Sequence, residues 1–278
     1  MRTSAVAGSF YPANPKNLKE KLKNCFSGID KKDLGKDLIK GAVVPHAGYD
    51  FSGRVAAHVY ANLPKVDTYV LVGPKHHFYG SPIAFSDDTW ETPYGVVEVD
   101  LDITNQFIGS IIDKDEIAHQ YEHSIEVQLP FLQYLFSDFK IVPICIGLHD
   151  PQTCMEVGRI IAQSLKNAEK NAVIIASSDF THAGPNYGYY PPRGVKVNKF
   201  IEELDKKVIQ KIIELNEREV IITAENDKSM CGYPAVAATI TAVKELGAKR
   251  VELLKYATSY DIMPSSSAVG YAGIIFRC

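Results

Sequence analysis

Apolar and polar positions divide the chain into short β-branched runs and longer stretches of helical periodicity. The runs that are apolar at nearly every position cover residues 42–45, 68–74, 140–146 and 172–178. Runs of this kind are typical of strands that are buried on both faces of a parallel sheet. Apolar residues recur at helical spacing over residues 14–26, 52–63, 155–165, 196–215 and 233–246. Strands that alternate with helices predict an α/β fold: a central, mostly parallel or mixed sheet flanked by helices in three layers.

Several further elements are less regular. We expect strands at residues 83–85, 96–99, 251–256 and 272–276, and a turn over residues 90–95. Residues 101–112 are expected to be helical. A helix marked by Ile125, Leu129, Leu132 and Phe136 should begin near Pro130 or be kinked there. The charged stretch 30–40 is expected to form a surface connection before the first strand of the sheet.

The composition fits one large α/β domain, which we place over residues 1–278. The formal net charge is −3 and no long basic run occurs, so nucleic-acid binding is not favoured. No apolar run approaches the ~20 residues that a membrane span needs, and the first residues lack the apolar core of a signal peptide. We therefore expect a soluble cytoplasmic protein. Five cysteines without a Cys-x-x-Cys pair argue against a disulfide framework or a zinc knuckle.

Histidines follow three of the predicted buried strands. His46 comes after residues 42–45, His76 and His77 come after 68–74, and Asp179 and His182 come after 172–178. In open α/β sheets, ligands bind outside the carboxyl ends of the strands. Three distant segments can therefore bring imidazoles to one crevice, which indicates a metal site or an acid–base site.

Each of these histidine loops also has a plain structural interpretation. A single loop histidine such as His46 can be hydrogen-bonded to a carbonyl and have no other role. Adjacent residues on an extended loop point in different directions, so one of His76 and His77 can face the crevice. The alternative is two solvated loop histidines. A carboxylate three residues before an imidazole can orient its tautomer and raise its basicity, as Asp179 would for His182. The alternative is a helix-capping Asp179 beside a surface histidine.

Two further candidates lie at predicted helix starts. His123 precedes the helix that contains Pro130, where the helix N-terminus would keep its imidazole neutral. Cys231 precedes the helix that begins near Tyr233, where the pKa of a thiol is lowered and the thiolate becomes a better ligand or nucleophile. The structural alternatives are a capping segment for His123 and a buried, inert thiol for Cys231.

The remaining histidines and two of the cysteines are assigned no chemical role. His58 should be a partly buried helix residue, and His119 and His149 should be surface loop residues. Cys145, in the middle of a strand, and Cys154, near a helix start, are expected to be structural.

Taken together, seven short segments in order along nearly the whole chain resemble the Memo family. They are residues 7–11 (AGSFY), 45–49 (PHAGY), 73–77 (GPKHH), 92–95 (TPYG), 122–126 (EHSIE), 177–180 (SSDF) and 231–232 (CG). The resemblance implies a fold similar to that of the class III extradiol ring-cleaving dioxygenases, with one α/β domain and a pocket at the strand ends.

The resemblance also implies roles for individual residues. His46 and His76 match the two metal-binding histidines of the dioxygenases, and Cys231 stands where those enzymes have a glutamate. His182 matches their catalytic histidine, with Asp179 beside it, and His123 is a further pocket residue. The implied cofactor is an iron or copper ion, with zinc as a third option, and no organic cofactor is expected. A thiolate in place of a carboxylate is a softer ligand, which favours copper(I) or zinc without excluding iron.

Four functions remain open at this point. The first is a metal-binding protein, redox-active through its metal, with His46, His76 and Cys231 as ligands. The second is an active extradiol-type dioxygenase. The third is a binding module for a small molecule or peptide, with the loop 187–193 as a pocket wall. The fourth is a thiol hydrolase that uses Cys231, His182 and Asp179. The resemblance further suggests a pathway shared with radical-SAM and AMMECR-type proteins. The charge and the apolar pattern indicate no nucleic-acid or membrane partner.

Overall fold

In a computed structural model of the chain, residues 1–32 and 38–278 are described, and the strands among them form one mixed sheet. The strands are β1 (Ile39–Val44), β2 (Thr68–Pro74), β3 (Ile83–Phe85), β4 (Trp90–Thr92), β5 (Gly95–Val99), β6 (Asp113–Lys114), β7 (Lys140–Ile146), β8 (Ala172–Ser177), β9 (His182–Ala183), β10 (Arg250–Thr258) and β11 (Ala268–Arg277). The helices are α1 (Pro15–Phe26), α2 (Gly53–Tyr60), α3 (Leu101–Thr104), α4 (Leu129–Leu135), α5 (Pro151–Asn167), α6 (Val197–Ile213), α7 (Glu217–Asp227), α8 (Tyr233–Glu245) and α9 (Ser259–Ile262).

The centre of the sheet is parallel and its flanks are antiparallel. Along the main path the strands follow the order β10-β11-β1-β8-β2-β7-β3-β6. β1, β8, β2 and β7 are parallel neighbours. β11 joins β1 antiparallel on one side, and β3 joins β7 antiparallel on the other. The expected α/β architecture with a mixed central sheet is therefore confirmed.

Helices cover both faces of the sheet because its central strands are apolar at successive positions. In β2, Val70 and Val72 belong to a core shared with α5, α6, α7 and α8. Tyr69 and Leu71, which alternate with them, belong to a second core shared with α1, α2 and α4. Burying such side chains contributes about 1.5–3 kcal/mol each, and the two cores produce the expected three layers. No helix in the described ranges is long and apolar enough to cross a membrane.

Some local predictions are wrong or incomplete. Residues 101–112 are not one helix: α3 ends at Thr104, a short 3-10 turn follows, and Gly109 takes a positive φ of 83° that interrupts helical geometry. The turn expected over residues 90–95 is part of a β-hairpin, because Trp90–Thr92 forms a strand that pairs with β5. Of the expected surface connection 30–40, residues 33–37 lie outside the described residues and β1 already begins at Ile39.

The prediction also omitted α7. This helix has a charged first turn and buries only Val220, Ile221 and Ala224. Its apolar stripe is too short to stand out from the sequence. Asn216 caps the helix by accepting a hydrogen bond from the Glu219 amide.

The N-terminal segment is held against the sheet by a buried ion pair. The Arg2 guanidinium lies 2.8 Å from the Glu126 carboxylate, and both side chains are almost completely buried. Glu126 also accepts hydrogen bonds from the Ala5 and Val6 amides and from the Tyr11 hydroxyl. The other nitrogens of Arg2 donate to the carbonyls of His119 and Glu122. Arg2 therefore connects the chain terminus to the loop that precedes α4.

Another buried carboxylate holds the loop that follows β8. Asp205 on α6 accepts hydrogen bonds from the Thr181 amide at 3.0 Å and from the Tyr256 hydroxyl at 2.7 Å. Burial raises the pKa of Asp205 to about 7, although these hydrogen bonds favour the charged form. Gly270 on β11 packs so closely that a Cβ there would lie 1.9 Å from Asp205 Oδ2. Asp205 thus anchors the segment that carries Asp179 and His182.

We predict that Glu126→Gln destabilises the protein by about 3–5 kcal/mol, because the substitution leaves Arg2 charged and buried without its counter-charge. Urea unfolding measures the loss. The matched control is Glu245→Gln, which removes an exposed ion pair with Lys166 and should cost less than about 1 kcal/mol. Equal effects of the two substitutions would contradict the role given to the Arg2–Glu126 pair.

We also predict that Asp205→Asn flattens the pH dependence of stability. The folded-state pKa of Asp205 lies above its unfolded value, so the folded protein retains a proton that the unfolded chain has lost. Stability then falls as pH rises from about 4 to about 7. Relative to Asp205→Asn, the native protein should lose about 2–3 kcal/mol of unfolding free energy between about pH 5 and 8. Glu202→Gln, on the surface of the same helix, should leave the slope unchanged, and an unchanged slope in Asp205→Asn would contradict the prediction.

Candidate metal centre

The parallel centre of the sheet delivers three segments to one edge. Val44 of β1 pairs with Ser177 of β8, so the loops that carry His46 and Asp179 begin at the same level. β2 lies on the other side of β8 and continues into His76. His123 enters from the loop before α4, and Cys231 enters from the segment before α8. The strand ends therefore form the crevice that the three histidine-bearing loops predict.

Three imidazoles meet in this crevice. One ring nitrogen from each of His46, His76 and His123 lies within 4.8 Å of the others. The His46 ring stands edge-on to the other two, with ring centroids 5.2 Å from His76 and 5.4 Å from His123. His76 and His123 are stacked, with centroids 4.6 Å apart. The Sγ of Cys231 lies 3.3 Å from His46 Nε2, so a thiol lies beside one of the three imidazoles.

His46 is held at its backbone and at its ring. Its amide donates to Asp179 Oδ1 at 2.8 Å, and its Nδ1 lies 3.0 Å from the Ser177 hydroxyl. Burial lowers the pKa of His46 well below its usual value, and the neighbouring His123 and His76 lower it further. His46 is therefore a neutral imidazole, which is the form that binds metals.

His76 is anchored by a carboxylate that the sequence analysis did not single out. Glu122 is fully buried and accepts from the His76 amide at 2.6 Å and from His76 Nδ1 at 2.9 Å. Burial opposes the charge on Glu122, but the hydrogen bonds and charge of His76 keep the pKa of the carboxyl far below its usual range. A carboxylate on Nδ1 leaves Nε2 free, as in many carboxylate–histidine–metal arrangements.

The charge state of His76 reflects its two neighbours. Burial alone would lower the pKa of His76, but the Cys231 sulfur and the Glu122 carboxylate raise it above its usual value. About a third of the side chain is exposed, which makes His76 the most accessible of the three clustered imidazoles. A metal ion at this point would take the place of the proton that these neighbours favour.

The sequence predicted His123 at a helix N-terminus, and this prediction is wrong. A 3-10 turn over Glu126–Gln128 precedes α4, and His123 lies before that turn, with its amide donating to Glu122 Oε1. The pKa of His123 is lowered to about 4, and the main cause is burial. Its ring packs between His76 and Phe10. Packing keeps the imidazole neutral, without help from a helix dipole.

Cys231 differs from the expectation of a lowered thiol pKa. Its sulfur is surrounded by His46, the Asp179 carbonyl and the Ser178 hydroxyl. Loss of water raises the pKa of Cys231, although His76 acts in the opposite direction. The nearby helix start at Tyr233 therefore does not produce a free thiolate. A bound metal ion would favour the thiolate directly.

Asp179 is hydrogen-bonded to the backbone of the His46 loop. Its Oδ1 accepts from the amides of His46 and Ala47, and burial raises the pKa of the carboxyl. The ring of His182 is oriented instead by the Phe180 carbonyl, 2.9 Å from Nδ1. The hydrogen bond of His182 Nδ1 is therefore made to a backbone carbonyl, and Asp179 acts on His182 through its charge.

A cleft of about 430 Å³ opens beside the cluster. Its lining includes His149, His182, Glu225, Lys228, Cys231 and Tyr233. The Tyr187 ring packs edge-on against His182, with centroids 5.0 Å apart. The cleft brings Cys231 of the cluster and His182 to the wall of one cavity large enough for a small molecule.

The other histidines stay outside the cluster. His77 turns away and its Nε2 lies 3.0 Å from the Tyr121 carbonyl, as expected for adjacent loop residues. His58 is partly buried and His149 is exposed, both as expected. His119 was expected at the surface but is completely buried, where Nε2 donates to the Ala84 carbonyl. The sequence gives no signal for this burial, since His119 lies in a polar loop.

The thiols of Cys145 and Cys154 are buried, and burial raises the pKa of each to about 12. Both agree with the expected structural role. A thiol with so high a pKa is a poor ligand and a poor nucleophile at neutral pH.

The donor set fits a transition-metal ion. Two ligands of one ion, a sulfur and a nitrogen, are expected to lie about 3.5 Å apart at a tetrahedral angle, and Cys231 Sγ and His46 Nε2 lie 3.3 Å apart. Imidazoles together with a thiolate suit copper, zinc and iron rather than magnesium or calcium. Hydrogen bonds to the Nδ1 atoms of His46 and His76 leave both Nε2 atoms directed at the cluster.

Comparisons with known proteins agree with the resemblance in the sequence. A family model described as "Memo-like protein" matches residues 2–275. A MEMO1 family protein of Methanosarcina barkeri is 50% identical over 278 residues, and the match covers 99% of each chain. A MEMO1 family protein of Archaeoglobus fulgidus is 44% identical, and the match covers 100% of each chain.

A solved structure shares the fold. The crystal structure of an uncharacterized protein from Escherichia coli K12 superposes with a TM-score of 0.51. That match covers 85% of this chain and 99% of the other chain, at 12% sequence identity. The similarity supports the mixed α/β architecture. On the family model and its near full-length relatives, the chain belongs to the Memo family.

Proposed function

We propose that this protein binds one redox-active metal ion, iron or copper, through His46, His76, His123 and Cys231. The observation that carries the proposal is the convergence of three imidazole nitrogens and one thiol in a single crevice. Three of these residues are the ligands that the resemblance implies. His123 is added because its ring nitrogen lies within 4.8 Å of the other two.

The bound ion would supply Lewis acidity and one-electron chemistry, and the chain would supply order and selectivity. Glu122 directs His76, and Asp179 holds the backbone of His46. Cys231 makes the set softer than two histidines and a carboxylate, which favours copper(I) or zinc and still permits iron. These residues hold their positions through hydrogen bonds that do not depend on the metal.

The adjacent cleft suits a small-molecule ligand. Lys228, His149 and His182 line it together with Glu225, so it offers an ammonium, two imidazoles and a carboxylate to a polar ligand. His182 donates from Nδ1 to the Phe180 carbonyl, which leaves its Nε2 free to take a proton. We therefore place His182 as the acid–base group of any reaction in the cleft.

We expect the anaerobically purified protein to hold about one iron or copper ion per chain. His46→Ala, His76→Ala and Cys231→Ala should each weaken binding by more than the ~10–100-fold cost of losing an outer partner, because each removes a direct ligand. Metal analysis and titration with ferrous iron, copper(I) and zinc measure the loss. His77→Ala is the matched control and should bind as the native protein does, since His77 turns away from the cluster.

Two outcomes would contradict the proposed metal site. One is a native protein that takes up none of the three ions. The other is an unchanged affinity in His46→Ala and Cys231→Ala. His123→Ala shows whether His123 is a ligand in addition to His46, His76 and Cys231. If only this variant keeps the native metal affinity, His123 lines the pocket and does not bind the metal.

Ring cleavage by an oxygenase is a second candidate, favoured by the cleft beside the cluster and by the free Nε2 of His182. We expect the iron-loaded protein to consume oxygen with a catechol, and His182→Ala to remove most of this activity while it retains iron. No oxygen uptake across a broad catechol panel would count against an oxygenase. Ligand binding that persists after metal removal would then favour a binding module.

The thiol hydrolase is disfavoured. Burial raises the pKa of Cys231, and its sulfur contacts His46, whereas the His182 ring is held by the Phe180 carbonyl. Asp179 accepts hydrogen bonds from the backbone amides of the His46 loop. The three residues therefore do not form the chain of hydrogen bonds that activates a nucleophile.

A further inference from the structure

Ser177 lies behind the His46 ring with three polar neighbours. It is the last residue of β8 and is fully buried. Its Oγ lies 2.6 Å from the Ser124 carbonyl, 2.8 Å from Gln128 Nε2 and 3.0 Å from His46 Nδ1. A serine hydroxyl has one proton to donate and two lone pairs to accept with. The direction of each hydrogen bond can therefore be assigned.

The hydroxyl proton belongs to the Ser124 carbonyl. A carbonyl oxygen only accepts, and two oxygens 2.6 Å apart must share a proton. Ser177 therefore donates to Ser124 and has no proton left for His46. Its other two neighbours must donate to it.

Gln128 is oriented so that it donates. Its Nε2 lies 3.1 Å from the Pro45 carbonyl, which also only accepts, so the amide nitrogen faces this side. Its Oε1 accepts from the Tyr60 hydroxyl at 2.8 Å. With Gln128 as one donor to Ser177, the remaining lone pair faces His46 Nδ1.

We propose that Ser177 is a positioning residue that fixes His46 as the tautomer with its proton on Nδ1, and thereby sets the affinity of the metal centre. The lone pair of Nε2 then faces Cys231 Sγ at 3.3 Å and the other imidazoles. The tautomer assignment stands on the hydrogen bonds alone. The effect on affinity rests on the proposed function.

The other tautomer has a ready partner, which is why the anchor matters. If Nδ1 loses its acceptor, a buried N–H is left unpaired, and moving the proton to Nε2 lets it donate to Cys231 Sγ. That proton occupies the position of a metal ion. His76 differs from His46, because the Glu122 carboxylate accepts its Nδ1 proton, whereas His46 depends on a neutral hydroxyl.

Nitrogen-15 NMR of the histidine rings in the metal-free full-length protein tests the tautomer. We expect the native His46 to carry its proton on Nδ1, and Ser177→Ala to gain a population protonated on Nε2. Ser177→Thr keeps the hydroxyl and should restore the native signature. Ser52→Ala is the matched control: it removes a buried hydroxyl that holds the Ala47 carbonyl in the same loop but does not touch the imidazole.

Zinc titration of the same proteins tests the affinity. Ser177→Ala should bind zinc ~10–100-fold more weakly than the native protein, as for loss of other outer partners. Ser177→Thr and Ser52→Ala should stay within about threefold of the native affinity, below that range. A native His46 protonated on Nε2 would overturn the proposal whether or not Ser177→Ala folds. Equal zinc affinity in the native protein and Ser177→Ala would also overturn it. A native protein that binds no zinc, iron or copper refutes the metal centre instead, while the ring spectra still decide the tautomer.

Discussion

Parallel pairing of β1, β8 and β2 is the constraint on which the rest of the site depends. These strands are apolar at successive positions and are buried on both faces, so their registers are fixed by two cores at once. With Val44 opposite Ser177 and Val72 opposite Ala176, the chain leaves all three strands at one edge. Loops of only a few residues then suffice to bring His46, His76 and Asp179 together.

The polar groups of the site are held by partners that come from outside the three strands. Glu122 reaches His76 from the loop before α4, and Arg2 holds the carbonyl of Glu122. Gln128 reaches Ser177 from the same region of the chain. These buried groups therefore meet hydrogen-bond partners, which avoids the cost of burying a polar group without a hydrogen bond. The crevice is organised before any ion binds, and an ion would have to displace little more than protons.

Much of the fold was predictable because buried strands and amphipathic helices leave strong patterns. The runs that become β2, β7 and β8 were apparent from the sequence, as were α1 and α5. The failures have physical causes: α7 buries only three residues, and the positive φ of Gly109 is incompatible with one helix over residues 101–112. The carboxyl ends of the predicted strands also indicated the edge of the sheet at which His46 and His76 meet.

The details of the site were less predictable because they depend on contacts between distant segments. Glu122 was part of a recognised motif, but only the structure shows its carboxylate on the His76 ring. Asp179 is three residues from His182 in sequence, yet it bonds the backbone of His46, 133 positions away. The sequence spacing does not show whether the Asp179 carboxylate contacts the His182 ring or the backbone of His46. Only the packing of the two loops decides between them.

X-ray absorption spectroscopy of the metal that the protein retains identifies the ligands of the metal centre. We expect about three imidazole nitrogens near 2.0–2.1 Å and one sulfur near 2.3 Å around the metal, and loss of the sulfur in Cys231→Ser. A shell of oxygen ligands without sulfur, or with fewer than two imidazoles, would contradict the account. So would a protein that retains no metal and takes none up.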